Sequence, residues 1–103
     1  MTSDALIIVK RFFSALESNH IDDAVELLTW DIRLETASRV EHGQVSIRVP
    51  LRMLMDYGFA IMPQMALCPT DGAVLADIRT PLGLITARLY VNNSGMIANI
   101  IAV

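Results

Sequence analysis

Three consecutive runs, "AVLADIRT" (73–80), "LITARLYV" (84–91) and "MIANIIAV" (96–103), constrain the fold of this chain more than any other feature. Apolar side chains recur in them at alternate positions, the period of a strand with one buried face. Turn-forming residues separate the runs, at Pro81–Gly83 and at Asn92–Gly95, and such short connections make antiparallel hairpins. A fourth run, "FAIMPQMAL" (59–67), precedes them and ends at a turn over Pro69–Gly72. A four-stranded meander with one apolar face needs a second layer to cover it.

The first half of the chain supplies that layer. Over residues 4–18, Ile8, Val9, Phe12, Phe13 and Leu16 recur at intervals of three and four, which predicts a helix. Ser3 or Thr2 can cap its start, and Asn19 and His20 break the pattern. A short second helix follows with Ile21, Ala24, Val25 and Leu28 on one face. Asp22 and Asp23 lie in its first turn, at the positive end of the helix dipole. From Asp31 the period changes: Ile32, Leu34 and Thr36 alternate with Arg33 and Glu35 as in a strand. Gly43 then ends a loop, and Ile47–Tyr57 reads as a third helix with Ser46 as its cap. That placement puts Pro50 in the first turn, where its missing N–H has no helical partner to lose. Three helices, a strand before the third and four after it predict an α+β domain.

With 103 residues the chain is long enough for one domain, spanning 1–103. It is 53% apolar and only 18% charged, and its mean hydropathy is +0.47. Polar groups on a folded monomer would cover that much apolar surface poorly, so a subunit interface is expected. A membrane span is excluded by length. The uncharged stretch from Tyr57 to Thr70 contains Pro63 and Pro69 and is shorter than the roughly 20 residues a spanning helix needs. The uncharged C-terminal stretch from Leu89 is broken at Asn92, Asn93, Ser94 and Gly95. In "MTSDALIIVKRFF" an acid precedes the apolar run and basic residues follow it, opposite to a secretion signal, so a cytoplasmic location is expected. Cys68 is the single cysteine, which excludes an intrachain disulfide and a cysteine-rich metal site; no metal or cofactor is expected. A net charge of −3 with eight scattered basic residues argues against a nucleic-acid partner.

Taken together, "VKRFFSALESNHIDDAVELLTWDIRLE", "GQVSIR" and "ARLYVNNSGMIANI" resemble, in order and spacing, the nuclear-transport-factor-2-like (NTF2-like) superfamily. That superfamily includes ketosteroid isomerases, SnoaL-like polyketide cyclases and limonene epoxide hydrolases. The resemblance implies a cone-shaped, curved mixed/antiparallel sheet packed on three helices, a cystatin-like α+β roll with ligands entering the open end. It also implies where an isomerase would keep its chemistry: a tyrosine on the first helix, a carboxylate base at the end of the first strand, and an acid on the penultimate strand. Those positions match Phe12, Thr36 and Ala87 here, and none carries the required group. A positioned base contributes about 10²–10⁴ in rate and oxyanion donors a further 10²–10³ each. Isomerase activity is therefore not expected. The epoxide hydrolases use an arginine flanked by carboxylates, for which this chain offers Asp77 and Arg79.

The face that this pair occupies follows from the hairpin register. With the turn at Pro81–Leu82, Ala76 falls opposite Ala87, and both face the cone. Asp77 and Arg79 then point outward with Thr86, Arg88 and Tyr90. The expected pocket lining is apolar: Phe12, Leu34, Thr36, Val74, Ala76, Ile78, Ile85, Ala87, Leu89, Ala98 and Ile100. Catalytic candidates are few. Glu35 is a rim or surface carboxylate unless it serves as a base. His42 is placed in a loop at the cone mouth, and His20 in a solvated interhelix turn. Cys68 reads as a small apolar residue, since nothing nearby would make its thiol acidic. Met53, Met55, Met62 and Met65 read as core or pocket fillers. Tyr57 and Trp30 read as polar-tipped edges of an apolar wall. Two function classes stand: a noncatalytic binder of a small apolar ligand, or a cyclase or epoxide-hydrolase-like enzyme using Glu35, His42, or Asp77 with Arg79. A homodimer through the outer sheet face is expected from the last strand, where Ile97, Asn99, Ile101 and Val103 are read as outward.

Overall fold

The computed structural model describes residues 4–61, 66–67 and 73–102. Its elements, in chain order, are α1 (Asp4–Glu17), α2 (Ile21–Glu26), β1 (Leu28–Glu35), β2 (Val40–His42) and α3 (Gly43–Tyr57). Five strands follow: β3 (Ala60–Ile61), β4 (Ala66–Leu67), β5 (Val74–Thr80), β6 (Gly83–Val91) and β7 (Ile97–Ala102). The strands form one mixed sheet in the order β2-β1-β7-β6-β5-β3, with β4 also on β5; β1 and β7 are parallel and every other pair is antiparallel. The proposed caps Thr2 and Ser3, the turn at Pro69–Gly72, and Met62, Met65, Cys68 and Val103 lie outside the described residues.

Helix α1 buries Val9, Phe12, Phe13 and Leu16, the residues whose spacing marks it in the sequence. It stops at Asn19, whose φ of 63° is left-handed. There the Asn19 N–H donates to the Leu16 carbonyl (3.1 Å) and the His20 N–H to the Ala15 carbonyl (2.8 Å). This is the two-bond C-terminal cap that closes many helices. Helix α2 buries Ile21, Ala24 and Val25. Leu28, expected on the same helix face, already belongs to β1 and pairs with Ile97.

Three expectations are corrected along the middle of the chain. Strand β1 begins at Leu28, ahead of Asp31, and its register against β7 shifts between Leu28 and Arg33. Trp30 and Asp31 are consequently both exposed, so no period-two signal marks the early strand. The loop expected before Gly43 contains β2, folded back on β1 by a turn at Thr36. The Thr36 hydroxyl donates to the Arg39 carbonyl (3.2 Å) and accepts from the Ser38 (3.4 Å) and Arg39 (3.2 Å) N–H groups. Third, α3 starts at Gly43, so Ser46 is not its cap and Pro50 lies in the helix interior. Proline there leaves the Ser46 carbonyl without its helical donor and costs about 3 kcal/mol or more. Long-range anchoring offsets part of that cost: Gln44 Nε2 donates to the Leu28 (2.9 Å) and Val25 (3.5 Å) carbonyls, fixing the first turn of α3 to the α2–β1 junction.

The meander follows its predicted register at β5–β6, where Ala76 pairs with Ala87 and Thr80 with Gly83 around Pro81 and Leu82. Asn92 builds the next turn, its Oδ1 accepting from the Ser94 (2.9 Å) and Met96 (3.0 Å) N–H groups. A bulge then intervenes: Tyr90 pairs with Asn99 but Val91 pairs with Ile97, leaving Ala98 as the extra residue. Ile97 therefore turns inward and is fully buried, opposite to its expected side. The bulge places an isoleucine rather than an alanine at the buried position, the larger hydrophobic gain.

Helices α1 and α3 and the sheet enclose the core, whose largest fully buried side chains are Phe12, Leu16, Leu28, Ile32, Ile47, Leu89 and Ile97. No buried polar or charged residue occurs among the described residues.

Candidate functional site

Between α1, α3 and the inner face of the sheet lies a cavity of about 140 Å³. Leu34 of β1, Thr36 just past its end, Ile78 of β5, Ile85, Ala87 and Leu89 of β6, and Ile100 of β7 line it with Phe12 of α1. All of these belong to the lining proposed from the sequence. Val74 and Ala76 are instead packed in the core and line no part of the cavity, and Ala98 is withdrawn into the bulge. The sequence reading omitted Phe13, Leu16, Pro50, Leu51, Leu54 and Ala102. Phe13 and Leu16 carried a signal in the spacing of α1. Pro50, Leu51 and Leu54 were hidden because the start of α3 was misplaced. Phe12 and Phe13 meet edge to face, with ring centroids 5.2 Å apart.

Among the described residues of this lining Thr36 supplies the one polar side chain, and its hydroxyl is already engaged in the turn to Arg39. The three positions that the resemblance assigns to isomerase chemistry, Phe12, Thr36 and Ala87, converge on the cavity. They bring together a phenyl ring, a committed hydroxyl and a methyl group. The wall therefore offers neither a proton acceptor nor a charge.

The titratable candidates lie elsewhere. Glu35 alternates with inward Leu34 and Thr36, and its carboxylate pairs with Arg33 at 3.1 Å. His42 is not in a loop at the cone mouth. It ends β2, pairs with Arg33 on the outer face and is exposed. Asp77 accepts a hydrogen bond from the Thr86 hydroxyl (3.0 Å), and Arg79 is exposed; Asp77, between inward Ala76 and Ile78, and Arg79, after Ile78, both face outward. None of these four side chains lines the cavity. His20 lies 3.9 Å from Asp23 on the exposed α1–α2 connection. Among the described residues no three His, Cys, Asp or Glu side chains are placed to share a metal ion.

Beside the cavity runs a second, shallower groove of about 270 Å³ between α3 and the β5–β6 turn. Met53 and Tyr57 of α3 face Thr80, Leu82 and Leu84 across it, while Pro50, Leu54 and Ile85 line both spaces. Met55 is half-buried against the core. Trp30 is 80% exposed and edges no apolar wall, because the irregular start of β1 turns it to solvent.

No family model matches this chain. No curated protein matches it in sequence either. Solved structures do match. A putative polyketide cyclase from Sinorhizobium meliloti superposes with a TM-score of 0.78 at 18% identity, over 100% of this chain and 99% of that one. An NTF2-like protein from Burkholderia xenovorans gives a TM-score of 0.73 at 16% identity, over 100% and 90% of the two chains. A Mycobacterium tuberculosis protein in complex with estradiol-17β-hemisuccinate gives a TM-score of 0.68 at 13% identity, over 96% and 92%. The fold is thus the NTF2-like α+β fold. No helix among the described residues is long and apolar enough to cross a membrane.

Proposed function

We propose that this protein is a noncatalytic binder of a small apolar ligand held in the cone cavity, working as a cytoplasmic homodimer. The observation that carries this reading is the cavity wall, which among the described residues is apolar except for one hydroxyl already bonded to its own turn. A buried charge or unpaired polar group of a ligand would find no partner there and would lose its hydration uncompensated. Binding then draws on apolar burial, at roughly 25 cal/mol per Å². The similar fold solved with a steroid derivative supports a ligand of apolar character. A cyclase or epoxide hydrolase built on Glu35, His42, Asp77 or Arg79 is disfavoured, because those groups lie across the sheet from the cavity. A cytoplasmic setting suits a chain whose single cysteine, Cys68, forms no intrachain disulfide.

Thermal shift against a panel of neutral apolar and anionic small molecules tests the proposal. Neutral apolar compounds should raise the melting temperature, and Ala87→Glu, which puts a charge on the wall, should abolish the response. Stabilisation by anions alone, lost in Arg79→Ala, would point to the outer-face enzyme reading instead.

A further inference from the structure

The cone cavity is small for an organic ligand. Its 140 Å³ lies below the roughly 300 Å³ at which such sites usually begin. An engineered apolar cavity of about 150 Å³ holds only a benzene-sized guest. The neighbouring groove of 270 Å³ is likewise below that bound by itself, but the two together exceed it. Among the described residues Pro50, Leu54 and Ile85 line both, which makes the two spaces neighbours. All three are half-buried, and Leu54 and Ile85 have rotatable side chains that can shift to join them.

We propose that cavity and groove form one tract for a long, uncharged hydrocarbon chain with a neutral polar head, such as a long-chain alcohol. The proposal rests on the reading of the cone as a ligand cavity. The tail lies in the cone, passes Leu54 and Ile85, and leaves the head at the β5–β6 turn. Side chains that must shift to join two spaces let a slender, flexible chain pass more readily than a bulky one. The groove also displays apolar surface that a chain would cover, with Leu82 90% and Leu84 60% exposed.

The character of the head follows from the polar atoms present. Among the described residues neither space is lined by a charged side chain, so these walls would give a carboxylate or phosphate head no ion pair. The Thr80 hydroxyl is occupied, donating to the Gly83 carbonyl (2.9 Å) and accepting from the Leu82 N–H (3.2 Å). Tyr57 on the opposite wall is 61% exposed, and its hydroxyl is the group on that wall suited to a neutral head.

Equilibrium dialysis of the full chain against radiolabelled straight-chain alcohols, from hexanol to tetradecanol, tests this. Affinity should rise about fourfold per added methylene and keep rising to dodecanol. Dodecanoate should bind more weakly than dodecanol. Met53→Glu, a change at a half-exposed helix position, should weaken dodecanol at least tenfold and leave hexanol unaffected. Hexanol binding with no gain on lengthening, or dodecanol binding unchanged in Met53→Glu, would overturn the joined tract while leaving the cone reading intact. Failure of every alcohol to bind would overturn both.

Discussion

Thr36 follows the last residue of β1, at the point where the fold's isomerases are implied to keep a base, and here its oxygen holds a hairpin. Its side chain makes three hydrogen bonds within the turn to Arg39, and its position on the wall brings no proton acceptor to the cavity. Two outcomes are expected. A β,γ-unsaturated ketosteroid should isomerise in the presence of the protein no faster than in buffer; conversion that a cavity substitution abolishes would refute this. Thr36→Val should unfold at lower urea, by about 1–2 kcal/mol, because the N–H groups it caps lose a partner while the cavity stays apolar. The chemistry missing from Phe12, Thr36 and Ala87 was legible in the sequence, since residue identity alone decides it. That the three positions share one cavity required the fold, because they come from α1, the turn after β1, and β6.

At the scale of elements, α3 departs most from its sequence reading. Local rules place proline in a first turn, yet Pro50 sits mid-helix because Gln44 binds carbonyls 16 and 19 residues away. No window of neighbouring residues contains that information. Pro50→Ala should restore a donor to the Ser46 carbonyl and raise the urea midpoint, by about 1–3 kcal/mol in unfolding free energy. Gly43→Ala should lower it by about 1–2 kcal/mol, since φ at Gly43 is 88°, a left-handed value costly for any residue with a Cβ. Strand β2 escaped notice for a related reason: three residues show no period, and its pairing depends on the turn at Thr36. The β5–β6 hairpin was fully legible because alternation and a two-residue turn together leave one register.

For the whole molecule, the open question is what covers the apolar surface of so hydropathic a chain. The inward turn of Ile97 removes one of the aliphatics that pointed to an outer-face interface. Ile101, Leu75 and Tyr90 remain half-buried on that face, with Val40 exposed near its edge. We propose a homodimer through this face. Sedimentation should give a dimer at tens of micromolar and a monomer for Ile101→Asp. Exposed Val45, Val49, Met53 and Tyr57 make a second apolar line along α3, at intervals of four residues. A dimer that survives Ile101→Asp but is lost in Val49→Asp would move the contact there.

By itself the sequence determined the α+β class, the helical face of α1, the β5–β6 register and the apolar residue types at Phe12, Leu34, Ile78, Ile85, Ala87, Leu89 and Ile100. Each depends on residue type and on spacing within a few positions, where the periods of helix and strand act directly. Tertiary structure decided the start of α3, the existence of β2, the side that Ile97 takes and the place of His42. These depend on hydrogen bonds between distant segments and on a bulge of one residue, which inverts the facing of a strand without altering its composition.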